Sequence, residues 1–139
     1  MTIEIELTSC IDEIIMSLRA LAATYKCEFK NNIPSGLMVT TDREAFSFVI
    51  NRLIRLIIQS SYNSYISISH VYEHEQLSLR IAGDNNSYNG FISGKMQKHQ
   101  STIKRAGCCV SFEFKEKKNI TVNLGFTARD SNFNTSTGT

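Results

Sequence analysis

Asn51 and Arg55 stand one helical turn apart in the run 46–61, FSFVINRLIRLIIQSS, and they offer opposite chemistry. A carboxamide oxygen can ligate a hard cation, whereas a guanidinium carries only N–H donors and a fixed positive charge. Arg55 therefore cannot coordinate a metal and would repel one. It lies near the middle of an otherwise apolar helix, which leaves two readings open. Its stem packs while its head reaches solvent at the helix edge, or it fills a pocket and pairs with Asp84 or Glu44. Farther along, NGFISGK spaces Gly90 and Gly94 beside Lys95. Glycines let backbone amides approach an anion, and a helix starting there would favour phosphate; an ordinary loop has the same composition.

Other chemistry finds little support. Only His99 is expected on a helix, and its neighbours Lys98 and Gln100 place it on a solvated face; His70 and His74 fall on or beside a hairpin. No serine or cysteine sits in a recognisable nucleophile motif, so no independent enzyme is expected. Cys10, Cys27, Cys108 and Cys109 form no C-x-x-C pair and read as reduced, mostly buried small apolar residues. The net charge of +2 is spread over 15 basic and 13 acidic residues, too even for a nucleic-acid face. Lys115, Lys117 and Lys118, with Glu116 among them, read as a solvated turn. The N-terminus carries acidic residues, and no apolar run approaches the roughly 18 residues of a membrane span, so a cytoplasmic protein without membrane insertion is expected.

The elements that must position these residues follow from periodicity. Ile3, Ile5 and Leu7 alternate with Glu4 and Glu6, predicting a strand over 2–7. Helical spacing from Ile11 to Tyr25 predicts a helix over about 10–25, with Asp12 and Glu13 in its first turn. A strand at 27–30, a turn containing Pro34 and Gly36, and a strand at 37–40 follow. Thr41 and Glu44 form a T-x-x-E capping box that starts a helix running from about 42 to 60. Residues 65–72 and 77–81 alternate about a polar link and predict a hairpin. After a loop at 83–91, Ile92, Met96 and Ile103 can line one face of a helix over about 93–105, with Gly107 placed to cap it. Strands at 108–114 and 120–126 flank the turn 115–119. The domain is expected to span 1–126, and the polar segment 127–139 buries too little to stay ordered. The order β-α-β-β-α-β-β-α-β-β implies an α+β fold of two layers, a mixed, largely antiparallel sheet with three helices on one face.

That order, with residues 8–61 and the closing β-G-x-x-β elements, resembles the ATP-binding catalytic domain of sensor histidine kinases, the Bergerat or GHKL fold. In that family the second helix presents asparagines to Mg²⁺ and the nucleotide phosphates in a pattern like N-L-L-x-N-A. Here Asn51-Arg52-Leu53-Ile54-Arg55-Leu56 matches the first asparagine and replaces the second with Arg55. The family's D-x-G aspartate hydrogen-bonds the adenine amino group; Gly83 stands at that position, and Asp84 restores it only with a one-residue slip. The slip would turn the side chain to the other sheet face unless a bulge intervenes. Of the family's long glycine-rich lid, only Gly90 and Gly94 remain, beside Lys95. The resemblance therefore implies a degenerate domain of two-component signalling that works through protein contacts. Its partner would be a histidine kinase, a response regulator or its own copy, with a homodimer as one form. No catalytic residue and no cofactor are expected. Under the alternative, ATP and Mg²⁺ are bound through Asn51, Arg55, Asp84, Gly90, Gly94 and Lys95, and a histidine on a partner chain is phosphorylated. No helical hairpin carrying a phosphoacceptor histidine precedes the domain, so self-phosphorylation in that family's manner is not expected.

Overall fold

The computed structural model describes residues 1–86, 89–115 and 119–126. The chain order is β1 Ile3–Glu6, α1 Leu7–Ser17, α2 Arg19–Thr24, β2 Glu28–Asn31, β3 Met38–Thr41 and α3 Arg43–Gln59. It continues through β4 Tyr65–Glu73, β5 Gln76–Gly83, α4 Asn89–Met96, a 3₁₀ turn Gln97–His99, α5 Gln100–Arg105, β6 Cys108–Lys115 and β7 Asn119–Phe126. The polar segment 127–139 and most of the turn 115–119 lie outside the described residues.

Five strands form one sheet in the order β2-β4-β5-β7-β6, parallel between β2 and β4 and antiparallel elsewhere. Alternation decides its faces. Ile66, Ile68, Leu77, Leu79, Ile81, Ile120, Val122 and Leu124 are buried, whereas Ser67, Ser69, Ser78, Arg80, Thr121 and Asn123 between them are only half-buried. One face therefore carries the helices and the other stays open. This is the expected α+β, two-layer architecture.

The helix against the sheet is built by its sequence. Phe46, Val49, Ile50, Leu53, Ile54 and Ile57 recur at helical spacing and are wholly buried. Each such side chain contributes about 2 kcal/mol of transfer free energy. Phe46 meets Phe126 of the last strand with ring centroids 5.7 Å apart.

Four expectations need correction. First, β1 pairs antiparallel with β3 in a separate two-stranded sheet. Second, the first helix starts at Leu7, so Asp12 and Glu13 are not in its first turn, and it breaks at Leu18. There the Ser17 hydroxyl donates to the Ile14 carbonyl and the Leu18 amide to the Ile15 carbonyl, a tightened turn that ends α1. Third, the α3 cap is Asp42, whose Oδ1 accepts from the Ala45 amide at 3.0 Å; Thr41 instead donates its hydroxyl to the Ala106 carbonyl at 2.6 Å. Fourth, the third helix is α4, a 3₁₀ turn and α5, and it begins at Asn89. Its expected apolar face holds: Ile92, Met96 and Ile103 are buried, and Gly107 ends it at φ 74°.

Among the described residues no helix is long and apolar enough to cross a membrane. All four cysteines are free; three are buried, Cys109 is exposed, and burial pushes the Cys108 thiol up to about 12.

Candidate functional site

Asn86 and the segment from Asn89 to Ala106 are tied to α3 at three levels, in antiparallel order. At the C-terminal end of α3, Asn86 is bridged to Ser61, and its Nδ2 donates to the hydroxyls of Ser60 at 2.6 Å and Ser61 at 3.1 Å. Midway, the His99 ring meets Phe48 edge-on, centroids 5.0 Å apart. At the N-terminal end, Arg105 pairs with Asp42 at 3.5 Å, next to the Thr41–Ala106 hydrogen bond. Phe48, Asn51, Arg52 and Arg55, at i, i+3, i+4 and i+7, form a stripe of α3 outside the core, and His99 meets it at Phe48.

Asn51, Arg52 and Arg55 are each half-buried. Arg55 forms no ion pair among the described residues. The expected pairing with Asp84 is not made, because that carboxylate accepts from the Tyr65 amide at 2.8 Å and the Ser64 hydroxyl at 3.0 Å. Glu44 is about 16 Å away along the helix axis, out of reach. The half-buried state fits the reading in which the stem packs and the head reaches the helix edge.

The end of β5 carries Gly83, Asp84 and Asn85, the stretch compared above with D-x-G. Gly83 faces the helix layer, where a Cβ would meet Ile57 at 3.5 Å, Ile66 at 3.6 Å and Ile120 at 3.8 Å. Asp84 is exposed and shares a shallow groove on the open face of the sheet with Tyr65, Ser67, Ala82 and Thr121. Its carboxylate thus points away from α3, and no bulge turns it back. Asn85 takes the left-handed conformation at φ 54°, which a glycine third in D-x-G adopts freely and asparagine tolerates.

Gly90 is the second residue of α4, but Gly94 and Lys95 do not sit at a helix start. Because α4 begins at Asn89, Gly94 and Lys95 fall in its second half, where helix ends favour cations over anions. A Cβ on Gly94 would meet nothing within 4 Å, so no close approach of protein atoms explains that glycine.

His99 is the residue the sequence placed wrongly. It is half-buried against Phe48, and its Nε2 is buried without a hydrogen-bond partner. Burial, with the nearby charges of Arg52 and Lys98, lowers its pKa. Arg52 Nε is likewise buried and unpartnered. Neither was expected at this site from the sequence. The available signal was charge pattern: segments 45–72 and 85–112 contain no Asp or Glu, yet carry Arg52, Arg55, Lys95, Lys98, Lys104 and Arg105.

The same pattern tests the site against Mg²⁺, which demands several oxygen ligands around it. Asn51 offers one carboxamide oxygen, Arg55 offers none, and neither facing segment supplies a carboxylate. Asn51 is thus the one of these side chains that could ligate Mg²⁺, and the remaining oxygens would have to come from water or phosphate.

No protein-family model matches the sequence, and no curated protein matches it significantly. Solved structures do match in three dimensions. The Mycobacterial sensor histidine kinase MprB superimposes with a TM-score of 0.72 at 10% identity, over 91% of this chain and 97% of that one. The catalytic domain of histidine kinase ThkA gives 0.72 at 14% identity, over 91% and 96%. Full-length ShkA, solved in complex with AMPPNP, gives 0.74 at 6% identity, over 90% of this chain and 30% of that one. The five-stranded sheet, the helix layer and these superpositions together establish that the chain has the histidine-kinase catalytic-domain fold, the GHKL fold.

Proposed function

We propose that this domain serves two-component-type signal transduction in the cytoplasm by contacting a protein partner, with little or no Mg·ATP chemistry of its own. The partner would be a histidine kinase, a response regulator or a second copy of the chain. The observation that carries this reading is Arg55: a guanidinium, half-buried and without an ion pair among the described residues, stands one turn from Asn51, where the fold's relatives would need a second oxygen ligand. Gly83 adds to it, since an apolar wall of Ile57, Ile66 and Ile120 replaces the aspartate that would read adenine.

A second reading keeps nucleotide binding and phosphoryl transfer to a histidine on a partner chain. It is favoured by the retained Asn51 and by the AMPPNP complex of ShkA, which has the same fold. Calorimetry with AMPPNP, with and without Mg²⁺, separates the two. The first reading expects no saturable heat in Mg²⁺ at concentrations up to about 1 mM. Mg²⁺-dependent binding near 1 μM, about −8 kcal/mol, would contradict it and establish the second.

A further inference from the structure

We propose that the groove between the helices α1 and α2 and the edge strand β2 is a self-docking face, on which a second copy of this chain seats its own α1 in antiparallel orientation. The inference rests on the reading that the domain works through protein contacts, and it names which of those partners uses this face.

The groove, about 780 Å³, has an apolar floor that includes Ile15, Ala22, Cys27 and Phe29. Met16 stands at its rim, 62% exposed, and extends that floor into one apolar patch. A flexible, polarizable side chain of this kind fills irregular gaps in a facing surface. Strand β2 ends the five-stranded sheet on this side, so the groove opens outward beside an edge strand.

Charge decides the occupant. Asp12 and Arg19 both line the groove, seven residues apart, with Ile15 and Met16 midway between them. A twofold axis passing between Ile15 and Met16 therefore sets each Arg19 against the second copy's Asp12 and each Met16 over the second copy's groove, so one symmetry operator makes both ion pairs. Parallel apposition would bring like charges together. The neighbouring charges leave this pattern intact. Glu13 is held by Arg43 at 3.3 Å. Glu28 is paired opposite Tyr65, one step out of phase with Phe29 opposite the buried Ile66, and so faces the open side of the sheet. Asn31 donates to Asp12 Oδ1 at 2.8 Å and fixes that carboxylate at one end, while Arg19 Nη1 lies 3.6 Å from Met16 Sδ at the patch itself. A contact one helix wide is smaller than the roughly 800 Å² per partner of a stable complex, so the dimer is a weak one that forms at high concentration.

Sedimentation of the whole chain, without nucleotide, from about 5 to 500 μM tests the proposal. A monomer–dimer equilibrium with a midpoint on the order of 100 μM is expected, weakening several-fold between about 0.05 and 0.5 M salt. Asp12→Arg and Arg19→Asp should each weaken it by about tenfold or more, because every ion pair becomes a like-charge pair. Mixing those two variants, or combining both changes in one chain, should restore it, since the pairs re-form with their signs exchanged. Met16→Glu should leave a monomer, and Lys104→Gln, in the groove on the β6 side, should change nothing. Circular dichroism melts check that each variant folds. A native chain that stays monomeric throughout overturns the proposal and leaves a kinase or response regulator as the partner of the proposed function. A dimer that the single charge variants leave unchanged, or that the mixture of folded variants does not restore, places the contact elsewhere and overturns it. Nucleotide affinity is read separately by calorimetry, so failure of the dimer and failure of the protein-contact reading are told apart.

Discussion

Gly83 faces inward among Ile57, Ile66 and Ile120, so a carboxylate introduced there would leave water for an apolar wall. Gly83→Asp, the change that restores the family's aspartate, is therefore expected to destabilise the fold by about 3 kcal/mol in urea titration and to confer no nucleotide affinity. A stable variant that gains binding would show a polar pocket at this position. Asp42 gives a prediction in pH. The Ala45 amide, followed by the neighbouring positive charges, holds its carboxyl below the ordinary range. A carboxyl depressed in the folded state stabilises the fold fully above its unfolded pKa and loses that contribution as pH falls through the folded value. Thermal melts of the native chain should thus drop as pH is lowered below about 4, and Asp42→Asn should flatten that part of the curve. An unchanged slope would remove Asp42 from the account.

At the scale of elements, the β4–β5 hairpin turns on His74 and Glu75, both with positive φ, at 52° and 60°. That is the backbone of a two-residue primed turn, which Asn-Gly adopts with far less strain. His74→Asn with Glu75→Gly should raise stability by about 1 kcal/mol, read as a higher urea midpoint with an unchanged slope; a loss would mean these side chains hold the turn. Elements with long periodic patterns were legible. The seventeen residues of α3 announced themselves through nine buried positions, and the hairpin through strict alternation. Boundaries and breaks were not. Thr41 and Asp42 are both cap formers, and which one caps depends on Thr41 being drawn to the Ala106 carbonyl, far away in sequence. The break at Leu18 rests on local hydrogen bonds that no period reports. The pairing of β1 with β3 outside the main sheet is likewise a matter of topology.

Across the whole molecule, the site exists because the segment 89–106 lies along α3, with Asn86 fastened at one end of that helix and Arg105 at the other. Sequence could name Asn51 and Arg55, since their spacing alone puts them on one face. It could not bring His99 to Phe48 or leave Arg52 Nε buried, because both follow from that docking. The acid-free composition of the two facing segments was readable, yet it gains meaning only once they are neighbours. The fold is that of histidine-kinase catalytic domains, and the proposed loss of Mg·ATP chemistry rests on the side chains of α3 and the end of β5. The most direct measurement is a crystal structure of the domain grown with Mg·AMPPNP. We expect no Mg²⁺ coordinated by Asn51 Oδ1 beside Arg55. An ordered octahedral Mg²⁺ joining Asn51 to the triphosphate would contradict the account.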